Sequence, residues 1–406
     1  MLIGEMLVRA GALLPADVDE AVSWQVLYGG RLGTNLLELG LVEERVLAET
    51  LGRQLSCEAT FGEVELAQAI VQMIPRQVAR RREMVPWRVE GKRLKVLCAS
   101  PRENLEVLDE IGFRLAKLVR PVVAPEFRIH QCLRRYFDSS LPMRSLDFGL
   151  RPRRRTAPAP GAPPTDAADL IDDQAFADLY QRVIAAPQSS WRALDGEPAA
   201  LATTDSGPAE PTPLAGSAPA EQELFLDASA ILRPVEETEP EDLAPLDFPG
   251  ALAAIGLAGE REQVARAVLR YARSKAARAV LLSIQRDFAL GWDALGEGLS
   301  PEQARRIALP LTAPSAFRLV RESRSHYIGP LAKEPGNVHF LKGLGKQWPA
   351  SAVLLPVLFR GNVVYILYVD NGHRRQVNPD IGELLILSQN ITRSMEQLVA
   401  KRRAAR

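Results

Sequence analysis

The sequence predicts an α+β multidomain protein: an N-terminal four-helix repeat with a small α/β subdomain, a disordered linker, and a C-terminal antiparallel sheet with flanking helices. Three observations predict it. Ile3, Gly4, Leu7, Gly11, Leu13, Val18, Val22 and Gln25 recur, each 29 positions on, as Leu32, Gly33, Leu36, Gly40, Val42, Leu47, Leu51 and Gln54. Half of the chain's 30 prolines fall within residues 151–250. After residue 251, apolar runs of strand length return, separated by tight-turn signals.

In each repeat copy, apolar residues at i, i+3/i+4 and i+7 describe helices with one buried face. Gly11 and Gly40 follow the shorter helix, where a left-handed cap favours glycine. Pro15 and Asp17 in one copy, and Glu43 and Glu44 in the other, suit the first turn of the longer helix. Gly4 and Gly33 stand one step into each short helix and let a neighbouring backbone or a flat ligand approach the main chain. Arg31 precedes the second of them and has the fork geometry for a guanine edge or a phosphate. Two readings stand at this point: helix packing with a solvated Arg31, or a ligand site.

Residues 56–138 continue as an α/β subdomain. Residues 66–74 read as a helix ending before Pro75. Residues 84–89 and 93–98 form a hairpin around Glu90 and Gly91. Residues 101–116 read as a helix through Leu105, Leu108, Ile111 and Leu115, residues 119–123 as a strand, and residues 126–137 as a closing helix. The run Arg80, Arg81, Arg82 reads as a solvated helix end, with a docking patch for an acidic partner as the alternative.

From 139 to 250 the composition shifts to Pro, Ala, Ser, Thr and acidic residues. Such sequence cannot bury enough apolar surface to offset backbone ordering, so disorder is expected. Two apolar islands, 168–186 and 221–232, have the pattern of short helices that fold onto a partner. The basic run 151–155 has no interleaved aromatic and reads as linker charge.

In the last part, residues 260–275 form an amphipathic helix through Val264, Val268 and Tyr271. Residues 279–284 pair with 288–292, residues 305–311 form another strand, and Ser315 caps a short helix to Ser323. Residues 352–359 and 363–369 flank a tight hairpin at Arg360, Gly361 and Asn362, and residues 381–401 form a long terminal helix.

Lys plus Arg and Asp plus Glu each total 50, so net charge gives no pull toward nucleic acid or an anionic membrane. No apolar run reaches the roughly 18 residues of a membrane span. The N-terminus lacks a basic n-region, and Glu5 and Arg9 interrupt its apolar run, so it does not read as a secretory signal. Cys57, Cys98 and Cys132 are scattered, which suggests buried thiols and a reducing cytoplasm. His326, His339 and His373 are isolated, without metal-ligand spacing. No phosphate loop is present: Gly345-Lys346 is followed by Gln347, and Phe340 stands where the first glycine would be. No catalytic elbow or zinc motif appears, and Asp287 and Asp370 read as strand-end residues, so no enzyme activity is expected.

The doubled pattern Leu-Gly-x-x-Leu-x-x-x-Gly resembles the cyclic-di-GMP-binding N-terminal domain of type II secretion and type IV pilus assembly ATPases. The order of elements to residue 138, including Cys98-Ala99-Ser100-Pro101 before a helix, carries the likeness further. The resemblance implies an apolar cradle for the dinucleotide. Ile3, Gly4, Leu7, Val18, Val22 and Gln25 would serve one half; Arg31, Leu32, Gly33, Leu36, Leu47, Leu51 and Gln54 would serve the other. Leu2 stands where the first copy would carry the arginine. A bidentate Arg contact contributes roughly 1–3 kcal/mol, so its loss weakens affinity by about one to two orders of magnitude.

Residues 251–406 resemble a GAF domain, on Ser283-Ile284-Gln285-Arg286-Asp287, Gly291-Trp292, the 307–311 strand, Leu355-Pro356-Val357, Arg360-Gly361 and Leu367-Tyr368-Val369-Asp370. That likeness implies a five-stranded antiparallel sheet and dimerisation in many members; no Cys is placed for a bilin. The expected protein is therefore a non-enzymatic cyclic-di-GMP regulator or adaptor with no bound metal or resident cofactor. It would be cytoplasmic, partnered by secretion or pilus proteins and paired as a homodimer through its GAF-like part. The competing readings are a ligand-free docking scaffold and a GAF-centred sensor of another small molecule.

Overall fold

The computed structural model describes residues 1–149, 243–345, 347–373, 375–377 and 381–405. The bulk of the expected linker, both of its apolar islands and its basic run lie outside the described residues.

Four helices open the chain: α1 (Ile3–Arg9), α2 (Pro15–Tyr28), α3 (Leu32–Glu38) and α4 (Glu44–Leu55). The repeat is visible in the caps. Gly11 and Gly40 sit at φ +71° and +72°. Gly11 N–H donates to Val8 O at 3.0 Å and Ala12 N–H to Leu7 O at 2.9 Å; Gly40 and Leu41 repeat this toward Leu37 O and Leu36 O, both at 3.0 Å. This is the two-bond left-handed cap that satisfies the last helical carbonyls. Leu7, Val18, Leu36 and Leu47 fill the space between the hairpins, with Phe127 from the next subdomain.

The subdomain that follows holds β1 (Glu58–Ala59), α5 (Gln68–Val71), α6 (Arg76–Arg82), β2 (Met84–Glu90), β3 (Arg93–Cys98), α7 (Leu105–Arg114), β4 (Leu118–Val123) and α8 (Glu126–Phe137). Its sheet runs β1-β4-β3-β2, with β3 and β4 parallel across α7 and β2 antiparallel to β3. The hairpin, β4 and α8 match expectation. The helix expected over 66–74 does not: only the single turn Gln68–Val71 forms, and Ile74, held out of helical backbone by Pro75, is buried beyond it. The helix expected from 101 begins as a 3-10 turn, Arg102–Asn104. Asn104 donates to Arg82 O and Ser100 O, and Leu105 is exposed while Val107 takes the core position. Arg80, Arg81 and Arg82 occupy the last turn of α6, where cations oppose the helix dipole.

The chain does not lose order at 139. Residues 139–149 pack back, with Arg144 and Phe148 buried in and beside a 3-10 turn, Ser145–Phe148. Phe148 stacks on Phe288 at 4.2 Å between centroids. At the other end, α9 (Phe248–Leu257) starts inside the expected linker. Asp247 caps it by accepting from Gly250 N–H at 2.9 Å, and Pro249 is tolerated because it lies in the first turn.

Then come α10 (Arg261–Lys275), β5 (Arg278–Gln285), β6 (Phe288–Gly296), α11 (Pro301–Arg305), β7 (Ala308–Pro310), α12 (Ala316–Ser323), β8 (Tyr327–Gly329), α13 (Pro335–Gly343), β9 (Ala352–Phe359), β10 (Asn362–Asp370) and α14 (Gly382–Ala404). The antiparallel sheet, ordered β7-β6-β5-β10-β9-β8, has six strands rather than five. This is the GAF-like sheet with flanking helices. The strand expected over 305–311 shrinks to Ala308–Pro310, because Ser300 and Gln303 form a capping box that starts α11 just before it. Ser315 caps α12 as expected, accepting from Arg318 N–H at 3.1 Å. The β9–β10 turn places Arg360 and Gly361 at φ +50° and +81°, the two-residue geometry whose twist matches the strands. Asp287 pairs with Arg321, and Asp370 pairs with Arg278 in the interior, so both are structural.

One face of this sheet is covered by α12 and α13 around Phe317, Phe340 and Tyr368. The other is covered by α9, α10 and α14, and that core also takes in Leu27 and Tyr28 from α2 of the repeat. No described helix is long and apolar enough to cross a membrane.

Candidate functional site

Arg31 is the N-cap residue of α3, in extended backbone. Its own N–H donates to Glu126 Oε2 at 2.7 Å. Its guanidinium donates from Nη1 to Ala99 O at 3.2 Å and from Nη2 to Ser100 Oγ at 2.7 Å, and Nε lies 3.5 Å from Glu126 Oε1. The side chain keeps 47% of its surface exposed, so the ion pair itself adds little to stability. What the contacts do is fix direction. Arg31 lies along the seam between the repeat and the α/β subdomain, with one face to solvent.

Glu126 orders that seam. It stands in the first turn of α8, and its carboxylate reaches the N-terminus of α3, where Thr34 Oγ1 also donates to Oε2 at 3.0 Å. A carboxylate suits both helix starts. Beside it, His130 Nε2 lies 3.3 Å from Glu83 Oε1. The bond from His130 holds the Glu83 carboxyl below the usual range, against burial. Glu83, Glu126 and His130 bring one ligand atom each within 4.8 Å of one another, the residues that could hold a metal here. Glu126, however, is already occupied by Arg31 and Thr34.

The other expected ligand residues divide by burial. Leu7, Leu36 and Leu47 have no exposed surface, Val18 and Val22 almost none, and Gly4 is buried. They form the floor of the repeat rather than an open trough. A Cβ on Gly33 would meet Leu47 Cδ2 at 3.0 Å, so the group that closes on the main chain there is the Leu47 side chain. Ile3, Leu32 and Leu51 are half-buried over this floor. Gln25 and Gln54, equivalent by repeat, act differently: Gln25 Nε2 donates to Gly30 O at 3.0 Å, and Gln54 Nε2 to Met1 O at 2.9 Å. Of the expected ligand residues, those not buried are Ile3, Gln25, Arg31, Leu32, Gly33, Leu51 and Gln54.

The first copy has no counterpart to the Arg31 arrangement. Leu2 is exposed, and its N–H goes to Glu5 Oε2 at 3.2 Å. Sequence reasoning also gave no place at the site to Ala99 and Ser100, known only from the Cys98–Pro101 run, nor to Thr34 and Glu126. None carries a local signal, since each is defined by a partner far along the chain.

Cys98 and Cys132 are buried, and burial pushes their thiols up to about 12 and about 11. His339 accepts a conventional role, its Nε2 3.1 Å from Ala308 O.

Residues 59–143 match the family model of the MshEN domain. A type IV pilus assembly ATPase PilB of Myxococcus xanthus is 28% identical over 141 residues, 34% of this chain and 25% of that protein. The PilB of Thermus thermophilus is 30% identical over 139 residues, 32% of this chain and 16% of that protein. The chain therefore spans a quarter or less of the length of these relatives. A solved structure of MshE with cdg is 26% identical, covering 34% of this chain and 99% of that one, with a TM-score of 0.26. The GAF domain of a phosphoenolpyruvate-protein phosphotransferase from Coxiella burnetii is 16% identical over 38% of this chain, with a TM-score of 0.33. Residues 59–143, which supply Ala99, Ser100 and Glu126 to the seam, are the part of the chain that matches the MshEN domain.

Proposed function

We propose that the chain is a non-enzymatic, cytoplasmic regulator or adaptor that answers to cyclic-di-GMP and acts on type II secretion or type IV pilus machinery. Residues 1–138 are the sensing part, and residues 251–406 the GAF-like part that pairs two copies or docks the partner. The observation that carries this reading is Arg31: a guanidinium already held in direction by Ala99 O, Ser100 Oγ and Glu126, yet half open to solvent. Preorganised forks of this kind recognise a guanine edge or a phosphate at low ordering cost. The MshEN match of residues 59–143 supports the choice of ligand, and MshE, similar to this part of the chain, has been solved with cdg.

Calorimetric titration of the full chain with cyclic-di-GMP tests it. Heat of binding is expected, with affinity at least about fivefold weaker in Arg31→Ala, since a bidentate Arg contact contributes roughly 1–3 kcal/mol. Absence of heat in the unsubstituted chain overturns the sensing role.

A ligand-free scaffold is the second reading, and one observation favours it. Leu7, Leu36 and Leu47 are fully spent in packing, and Leu2 leaves the first half-site without a guanidinium. Capture of pilus or secretion proteins by a chain that gives no heat with cyclic-di-GMP would select it.

A further inference from the structure

A cleft of about 790 Å³ opens between α2 of the repeat and the turn end of the GAF-like sheet. None of the expected dinucleotide residues lines it. Its walls bring together Arg286, Arg321, Arg324, Arg360 and Arg403. Arg286 lies in the β5–β6 turn and Arg360 in the β9–β10 turn; Arg324 ends α12, and Arg403 comes from the last turns of α14.

Several of these cations are held in place. Arg403 Nη2 donates to Ser23 Oγ at 2.6 Å and to Asp19 O at 3.1 Å. Arg321 meets Asp287 Oδ1 at 3.2 Å, and Arg286 donates to Glu38 O. Arg360 lies over the Phe359 ring at 5.3 Å. The α2 wall also carries Asp19 and Glu20. Counting Asp287 with them, five guanidiniums face three carboxylates, an excess of two positive charges. Apart from Ser23 and Asn362, the remaining lining is apolar and aromatic, with Trp24, tilted against Tyr28 at 4.8 Å, Phe359 and Val364 among it.

A concave site of this volume, with convergent guanidiniums and an aromatic wall, suits a small anion bearing a flat ring. Arginine matches phosphate by bidentate hydrogen bonds, and an indole offers a stacking surface. We propose that the cleft is a binding site for a phosphate-bearing nucleotide, separate from the Arg31 seam and walled by both halves of the protein. Its phosphates lie toward Arg324 and Arg360, and its ring against Trp24.

The test uses the full chain, with pyrophosphate and ADP as probes in calorimetric titration. Both are expected to bind, with pyrophosphate at least about tenfold weaker in the Arg324→Gln/Arg360→Gln double variant and unchanged in Arg31→Ala. Both substituted arginines are exposed, so an unaltered thermal midpoint separates lost binding from lost fold. ADP binding tighter than pyrophosphate, and a loss of that margin in Trp24→Ala, supports the stacked ring; equal affinities overturn the ring assignment. No binding of either probe, or binding undiminished in the double variant, overturns the site. Binding abolished by Arg31→Ala assigns the probes to the seam and likewise overturns it.

Discussion

Arg144 donates to both carboxylate oxygens of Glu38, 106 residues earlier in the chain, and the pair is closed off from solvent. The same guanidinium donates to Tyr28 O, Gly29 O at 3.1 Å and Asn35 Oδ1 at 2.8 Å. Ser145 Oγ donates to Glu38 Oε1 at 3.1 Å. The carbonyl of Glu38 accepts from Arg286, in the β5–β6 turn. Buried charges of this kind persist because nearly every donor and acceptor is matched.

Arg144→Met leaves the Glu38 carboxylate buried without its cation. Breaking one side of such a pair costs about 3–5 kcal/mol. Chemical denaturation of the full chain should show a loss of that size, and a loss below about 1 kcal/mol would remove the pair from any central role.

Gly291 sits at a bulge in β6, where the register against β5 shifts between Leu281 and Leu282. A Cβ there would stand 1.8 Å from Ala304 O. Gly291→Ala should therefore destabilise by about 2–3 kcal/mol, in the range of overpacked interiors. Gly361→Ala serves as the comparison, having positive φ but open space around it. Gly291 itself has no positive φ, so a loss there no larger than at Gly361 would show that the backbone gives way and relieves the approach to Ala304 O.

Burial tends to raise the Glu44 carboxyl, but hydrogen bonds from Arg128 at 2.8 Å and from Gly62 N–H at 2.8 Å outweigh it, and the net shift is downward. A folded-state pKa below the unfolded value contributes stability that is present above about pH 4.3 and is lost as pH falls through the folded value. Stability measured from pH 6 down to pH 3 should fall less steeply in Glu44→Gln than in the unsubstituted chain. Identical slopes would remove Glu44 from the acid response.

Cys98 and Cys132, with thiols pushed up to about 12 and about 11, hold almost no thiolate at neutral pH. A thiol reagent at pH 8 should label the half-buried Cys57 alone, and the other two only after denaturant is added. Rapid labelling of all three in the native chain would contradict the packing of the α/β core.

The elements legible in the sequence are those whose cause is local. The 29-residue repeat and its glycine caps, the tight hairpin at Arg360, Gly361 and Asn362, and the Ser315 cap all follow from residues within a few positions of one another. Residues 139–149 did not read as ordered, because nothing near Arg144 announces that Glu38 and Asn35 await it. The α9 helix was hidden by Pro249 and Gly250, linker-like in composition yet compatible with a first turn behind Asp247. At the site, Arg31 was legible by its place before Leu32-Gly33; Glu126, which aims it, was not. The repeat that marked Leu7, Leu36 and Leu47 puts them in the core, but spacing alone does not tell a lining from a floor.

Helix α2 gives one face to the repeat core through Val18 and Ala21 and the other to the GAF-like core through Leu27 and Tyr28. Tyr365 Oη and Arg261 both donate to Leu27 O at its end. Removing the GAF-like half would strip this helix of a wall and leave that carbonyl without these two donors. The two halves, expressed as separate polypeptides, should therefore reassociate when mixed, and heating the whole chain should give one shared endotherm rather than two.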